Sequence, residues 1–189
     1  MKTCLLVIDA QESFRHRPYF DPSRATPYLQ AQNALIEGCA ALHMPIVRVL
    51  HSDGPEQPDN PFARCSGQVR ALQELAPFEA AAEFVKTRHS ALVGTGLDVW
   101  LVRNHIARVI VSGIRTEQCC ETTTRHASDL GWEVDFVGAA TLTFDMQQPD
   151  GTPLRADDIV LRTETVLAGR FATLCDVGQA LQRARDAQA

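Results

Sequence analysis

The sequence predicts a doubly wound α/β fold: a mostly parallel sheet with helices on both faces, in three layers. Apolar runs of strand length recur along the chain, and segments of helical periodicity separate almost every pair of them. Strand and helix in regular alternation imply right-handed crossovers, which place helices on both faces of a parallel sheet. The 189 residues show no shift of composition and no low-complexity stretch, so residues 1–189 read as one domain.

The elements follow in order. Thr3 to Ile8 is the first strand. Thr26 as N-cap with Pro27 in the first turn opens a helix through Leu42. Pro45 to Leu50 is the second strand, Gln68 to Leu75 a helix, and Glu83 to Val85 the third strand. Thr95 and Asp98 form a capping-box pattern for a helix through Asn104. Arg108 to Ser112 is the fourth strand, followed by a helix from Glu117 to Leu130 that Gly131 stops. Glu133 to Val137 is the fifth strand, residues 156–167 a helix, Phe171 to Leu174 a weaker sixth strand, and Asp176 caps a last helix to Arg185. Two segments resist regular structure, His51 to Gly67 and Gly138 to Pro153, and both are long enough to be functional loops.

Charge and composition narrow the partners. A net charge of −5 with scattered arginines leaves no basic stripe, so nucleic acid and anionic membrane surfaces are not expected and small molecules remain. The first residues form too short an apolar run for a signal peptide, and no stretch approaches a membrane span, so a cytoplasmic protein is expected. The six cysteines lack both the density of a disulfide scaffold and paired C-x-x-C spacing, and read as free thiols. Sixteen arginines accompany only two lysines, Lys2 and Lys86. An internal lysine in so arginine-rich a chain suggests a compact, tunable ammonium in a confined site, against the plainer reading of a strand-end surface charge.

Ligands of such sheets bind at the carboxyl ends of the strands. Asp9, Lys86 and the segment 113–119 all follow strand ends, so topology alone puts three reactive groups on one rim. In Val109-Ile110-Val111-Ser112-Gly113-Ile114-Arg115-Thr116-Glu117-Gln118-Cys119-Cys120 an apolar strand breaks at a glycine and runs into a helix with a thiol in its first turn. Unpaired N–H groups and the helix dipole there are expected to favour thiolate over thiol. Asp9 can accept the thiol proton and the Lys86 cation can lower the thiol pKa, which together make an activated nucleophile of Cys119.

Three motifs, Asp9-x-Gln11-x-x-Phe14, Lys86-Thr87-Arg88-x-Ser90-Ala91 and Gly113-x-x-Thr116-x-x-Cys119, resemble the isochorismatase-like family of cysteine hydrolases, which includes nicotinamidases and N-carbamoylsarcosine amidases. The likeness covers nearly the whole chain. It implies a catalytic triad of Asp9, Lys86 and Cys119 on a six-stranded sheet ordered 3-2-1-4-5-6. It further implies a cis peptide between Ile114 and Arg115, an oxyanion hole from the Arg115 and Cys119 amides, and a substrate cavity lined by Gln11 and Phe14. Arg115 is a candidate for a substrate carboxylate. Family habit implies a homodimer or homotetramer.

Departures from the family pattern matter too. Metal-bearing nicotinamidases show Asp-x-His after the second strand, where this chain reads Arg48-Val49-Leu50-His51-Ser52-Asp53-Gly54, so neither a metal nor another cofactor is expected. Relatives usually carry valine at the position of Cys120, which reads as a small buried residue, because consecutive helix residues point about 100° apart. His126 reads as a packing residue, and Trp100, Tyr19 and Phe144 suit core or interface positions. Gly94-Thr95-Gly96 lacks the third glycine of a dinucleotide fingerprint. The expected activity is cleavage of a C–N bond in a small amide, carbamoyl or ureido compound through a Cys thioester. The alternatives are a vinyl-ether hydrolase and a non-catalytic binding relative.

Overall fold

The computed structural model describes residues 1–187. Strand β1 (Lys2–Ile8) runs through the middle of a six-stranded sheet, and its apolar run from Cys4 to Ile8 follows from burial on both faces. Cys4, Leu6 and Ile8 point into one core layer and Leu5 and Val7 into the other. The remaining sheet strands are β2 (Ile46–His51), β3 (Ala82–Lys86), β4 (Ile106–Ile114), β5 (Glu133–Leu142) and β8 (Thr173–Leu174). Their order is β3-β2-β1-β4-β5-β8 and every pairing is parallel. The sixth strand of this sheet, counted along the chain, is β8, and the expected order holds.

Helices α1 (Pro22–Ala41) and α5 (Val177–Asp186) cover one face with Leu35, Ile36, Cys39, Ala180 and Ala184. Helices α2 (Leu97–Arg103), α3 (Glu121–Asp129) and α4 (Ala156–Leu167) cover the other with Leu97, Leu101, Ala127 and Leu167. Burial of a leucine of this kind contributes roughly 2 kcal/mol. Among the described residues no helix is long and apolar enough to cross a membrane.

Several expected boundaries are corrected. Helix α1 begins at Pro22, because the Asp21 carboxylate accepts the Ser23 N–H at 2.9 Å and Pro22 follows as the first helical residue. Thr26 is therefore no cap, and Pro27 sits inside the helix, where it deprives the Ser23 carbonyl of a donor. The expected helix at Gln68 to Leu75 does not form. Its backbone instead pairs with the segment after β1, through Glu12 N to Arg70 O at 2.9 Å, Leu72 N to Ala10 O at 3.0 Å and a bridge between Gln11 and Ala71. Gly96, at φ +79°, caps α2, while the Thr95 hydroxyl accepts from Leu97 N at 3.1 Å. The helix expected from Glu117 starts instead as a π-helical turn over Thr116–Cys120 and becomes α-helical at Glu121.

Strand β5 runs on to Leu142, which shortens the second expected loop. The remainder carries a small antiparallel ribbon of β6 (Met146–Gln147) and β7 (Pro153–Leu154). Val111 faces Phe136 but Gly113 faces Thr141, so β5 bulges beside the end of β4. At that point Gly113 has φ +128°, and a Cβ there would lie 1.8 Å from the Ile8 carbonyl oxygen. Only glycine lets β4 approach β1 so closely just before the turn that carries Cys119. Gly113→Ala is expected to destabilise the fold by about 3 kcal/mol or more. Urea unfolding checks this, and a midpoint equal to that of the unsubstituted protein would contradict the close approach.

Candidate active site

Three backbone segments deliver the reactive side chains to the carboxyl edge of the sheet. Asp9 follows β1 directly, held at φ +52° with its N–H donating to Val49 O at 2.8 Å. Aspartate tolerates this left-handed conformation better than most residues. Lys86 is the last residue of β3 and pairs with His51 at the end of β2. Cys119 lies in the π-helical turn after β4. That turn is tied to the bulge of β5, since the Thr116 hydroxyl donates to Thr141 Oγ1 at 2.9 Å and Thr141 in turn to Gly138 O at 2.8 Å. The peptide bond between Ile114 and Arg115 is cis.

These segments bring Asp9, Lys86 and Cys119 together. Lys86 Nζ lies 2.7 Å from Asp9 Oδ2 and donates to Cys119 Sγ at 3.1 Å. The Lys86 and Asp9 side chains are fully buried, and Cys119 is 6 % exposed. Hydrogen bonds with Lys86 and Cys119 favour the ionised Asp9 carboxylate. Burial raises the Asp9 carboxyl above its ordinary range despite the opposing Lys86 charge. Burial also opposes the Lys86 ammonium, but the Asp9 charge and the hydrogen bonds to Asp9 and Cys119 outweigh it and hold it above the usual lysine value.

The expected resting thiolate is corrected. Burial, with the Asp9 charge second, pushes the Cys119 thiol up to about 12, and the Lys86 cation offsets only part of this. A 6 % exposed sulfur beside a carboxylate keeps its proton at neutral pH. Cys120 is fully buried in the core and its thiol is raised well above the ordinary value, again by burial.

Cys119 forms the floor of a cavity of about 280 Å³, walled by Phe14, Tyr19, Phe62, His51 and Arg115. Phe14 and Phe62 meet edge to face with ring centroids 5.1 Å apart. Arg115 lines the cavity with its guanidinium 3.0 Å from Glu117 and stacked over Tyr19 and Phe144 at 5.2 and 5.9 Å. Its carbonyl accepts the N–H of Gln118 and of Cys120, and the intervening Cys119 amide is not among these donors. Gln11 does not line the cavity. Its amide oxygen accepts His51 N–H at 2.7 Å and its Nε2 donates to His51 O at 2.9 Å and Ser13 Oγ at 2.7 Å, which clamps the segment after β1 to the end of β2. His126 stands outside the cavity, 2.8 Å from Ser90 Oγ, and joins α3 to the loop after β3.

Arg17, Asn60, Phe62 and His89 also line the cavity but were not singled out by sequence reasoning. Asn60 and Phe62 come from the His51 to Gly67 segment, where loop length was the only signal. No three His, Cys, Asp or Glu side chains among the described residues are grouped to hold a metal ion.

His51 borders both the cavity and the buried cluster, with Nδ1 3.1 Å from Lys86 Nζ. Burial first, and the Lys86 charge second, lower its pKa to about 4. A base depressed in the folded state stabilises fully above its ordinary pKa, and that contribution is lost as pH falls from about 6.5 to about 4. Proton NMR titration is expected to find the His51 imidazole titrating near 4; a transition near 6.5 would contradict its burial against Lys86.

A family model described as the isochorismatase domain matches residues 3–157. An uncharacterized isochorismatase family protein of Bacillus subtilis (strain 168), YrdC, is 25% identical over 180 residues, 94% of each chain. Nicotinamidase 3 of Arabidopsis thaliana is 30% identical over 159 residues, covering 78% of this chain and 77% of that protein. Among solved structures, a cysteine hydrolase from Pseudomonas syringae pv. phaseolicola 1448A superposes with a TM-score of 0.85 at 22% identity, over 98% of this chain and 93% of that one. N-carbamoylsarcosine amidase from Thermoplasma acidophilum superposes with a TM-score of 0.70 at 23% identity, over 94% and 97%. At such identities these two structures share the fold.

Proposed function

The chain belongs to the isochorismatase family and is a hydrolase, and from that premise we propose that it cleaves a C–N bond of a small amide, carbamoyl or ureido compound through a thioester on Cys119. The observation that carries the proposal is the contact of one buried ammonium, Lys86, with both the Asp9 carboxylate and the Cys119 sulfur directly beneath a cavity. The similarity to a nicotinamidase supports C–N chemistry.

In the proposed reaction, Asp9 takes the Cys119 proton as sulfur attacks the substrate carbonyl carbon, so no free thiolate accumulates. Lys86 stabilises the negative charge passing through sulfur. The tetrahedral oxyanion receives the Arg115 and Cys119 amides, whose positions are fixed by the turn. Collapse breaks the C–N bond, Asp9 returns its proton to the leaving nitrogen, and ammonia or an amine departs. Water then attacks the thioester while Asp9 takes one of its protons. The acid leaves, and sulfur recovers its proton from Asp9. A raised carboxyl in hydrogen-bond contact with the thiol suits this role, since it can hold the proton between steps. The cavity volume suits a ligand of few heavy atoms, with an aromatic wall for a planar group.

The test is ammonia release from a panel of primary amides, N-carbamoyl amino acids and ureido compounds. At least one class is expected to turn over. Cys119→Ala is expected to fall to background with its unfolding midpoint retained, and Lys86→Met to lose roughly 10²-fold or more. Silence across the panel, or activity surviving in Cys119→Ala, would overturn the proposal.

A further inference from the structure

Lys86 carries three donor hydrogens, and the structure gives the ammonium three partners: Asp9 Oδ2 at 2.7 Å, Cys119 Sγ at 3.1 Å and His51 Nδ1 at 3.1 Å. The first two belong to the proposed chemistry, and the third is unexplained by it. We propose that His51 is a positioning residue: neutral and protonated on Nε2, it accepts the third Lys86 hydrogen through Nδ1 and so holds the ammonium between the carboxylate and the sulfur. This rests on the proposed roles of Asp9, Lys86 and Cys119.

The tautomer follows from the donor's chemistry. An ammonium only donates, so the facing Nδ1 has to be bare and the ring proton sits on Nε2. Ring orientation is fixed from behind. Both backbone polar groups of His51 are bonded to the Gln11 side chain, at 2.7 and 2.9 Å, and the ring meets Phe62 at 6.0 Å between centroids. This also accounts for Gln11, which turns from a substrate contact into the group that seats His51.

The charged and titratable groups around the ring come from every neighbouring segment. Lys86 faces it from β3, Asp9 lies across the ammonium at the end of β1, and Cys119 lies there in the turn after β4. Asp53, 71 % exposed, places Oδ2 3.9 Å from Nε2, and His89 follows β3 at the cavity wall. At 3.9 Å Asp53 is too far for a hydrogen bond, so the Nε2 proton remains open towards the cavity. Burial keeps the ring neutral, as the depressed pKa of about 4 reflects. A neutral acceptor stabilises the ammonium without competing with Asp9 for the thiol proton. A buried ammonium with one unfilled donor would instead be drawn onto the Asp9 carboxylate, its stronger acceptor, and away from the sulfur.

The test uses iodoacetamide on a Cys65→Ser background, which removes the exposed cysteine, with Cys119 alkylation followed by peptide mass at fixed pH. His51→Leu is expected to slow Cys119 alkylation about tenfold, one pKa unit of lost thiolate stabilisation. His51→Asn, whose side-chain oxygen takes the place of Nδ1, is expected to restore most of the rate. Nitrogen NMR of the unsubstituted protein is expected to find the His51 proton on Nε2. Alkylation of His51→Leu at the original rate, His51→Asn no faster than His51→Leu, or the ring proton on Nδ1 would each overturn the inference. The spectrum decides alone if His51→Leu does not fold. Alkylation needs no substrate, so an inactive amide panel and a failure here are separate outcomes.

Discussion

A lysine ammonium with a fully buried side chain cannot stand without an opposite charge, and this single constraint organises the site. Desolvation of an ion of this size carries a penalty of several kcal/mol even after relaxation, so Lys86 depends on Asp9 at 2.7 Å. The pair in turn fixes where β1 and β3 have to end relative to each other, and the sheet register delivers it, with β2 between them as spacer. Arginine could not do this work. Its planar fork would not fit among a carboxylate, a thiol and an imidazole nitrogen at about hydrogen-bond distance, which explains why a chain so rich in arginine keeps a lysine at position 86.

Around that pair the surrounding chain is arranged as support. Gly113 lets β4 run close against Ile8, and the bulge of β5 and the Thr116 to Thr141 bond anchor the π-helical turn that presents Cys119. Gln11 secures the end of β2. The face of the cluster towards solvent is built by aromatic and polar residues of irregular segments, Phe14, Tyr19 and Phe62 among them. A rigid reactive floor under loop-built walls is the arrangement in which one chemistry serves different substrates.

The fold and the convergence of Asp9, Lys86 and Cys119 were legible in the sequence because each rests on a local signal repeated in order: apolar strand, turn residue, polar group at the strand end. The residues at 68–75 misled because helical periodicity was overruled by backbone pairing with residues 10–13, a contact between segments far apart in the chain. The start of α1 differs from expectation because Asp21 with Pro22 caps the helix one turn ahead of Thr26 with Pro27, on which the sequence reading rests. Gln11 departs from expectation for a different reason: it stands in a motif beside Asp9 but spends its amide on the His51 backbone, and the contact of His51 with Lys86 emerges only once the sheet register sets the two opposite each other. The protonation of Cys119 was also hidden, since a helix-start position favours thiolate while burial, known only from packing, disfavours it more.

The most direct test of the central interaction is a double-mutant cycle on stability with Asp9→Asn, Lys86→Met and the double variant, measured by urea unfolding. Each single variant is expected to lose about 3 kcal/mol or more by leaving a buried partner uncompensated, and the double variant is expected to lose clearly less than the two together. Losses that add to within about 0.5 kcal/mol would mean that the carboxylate and the ammonium do not depend on one another, and would contradict the account.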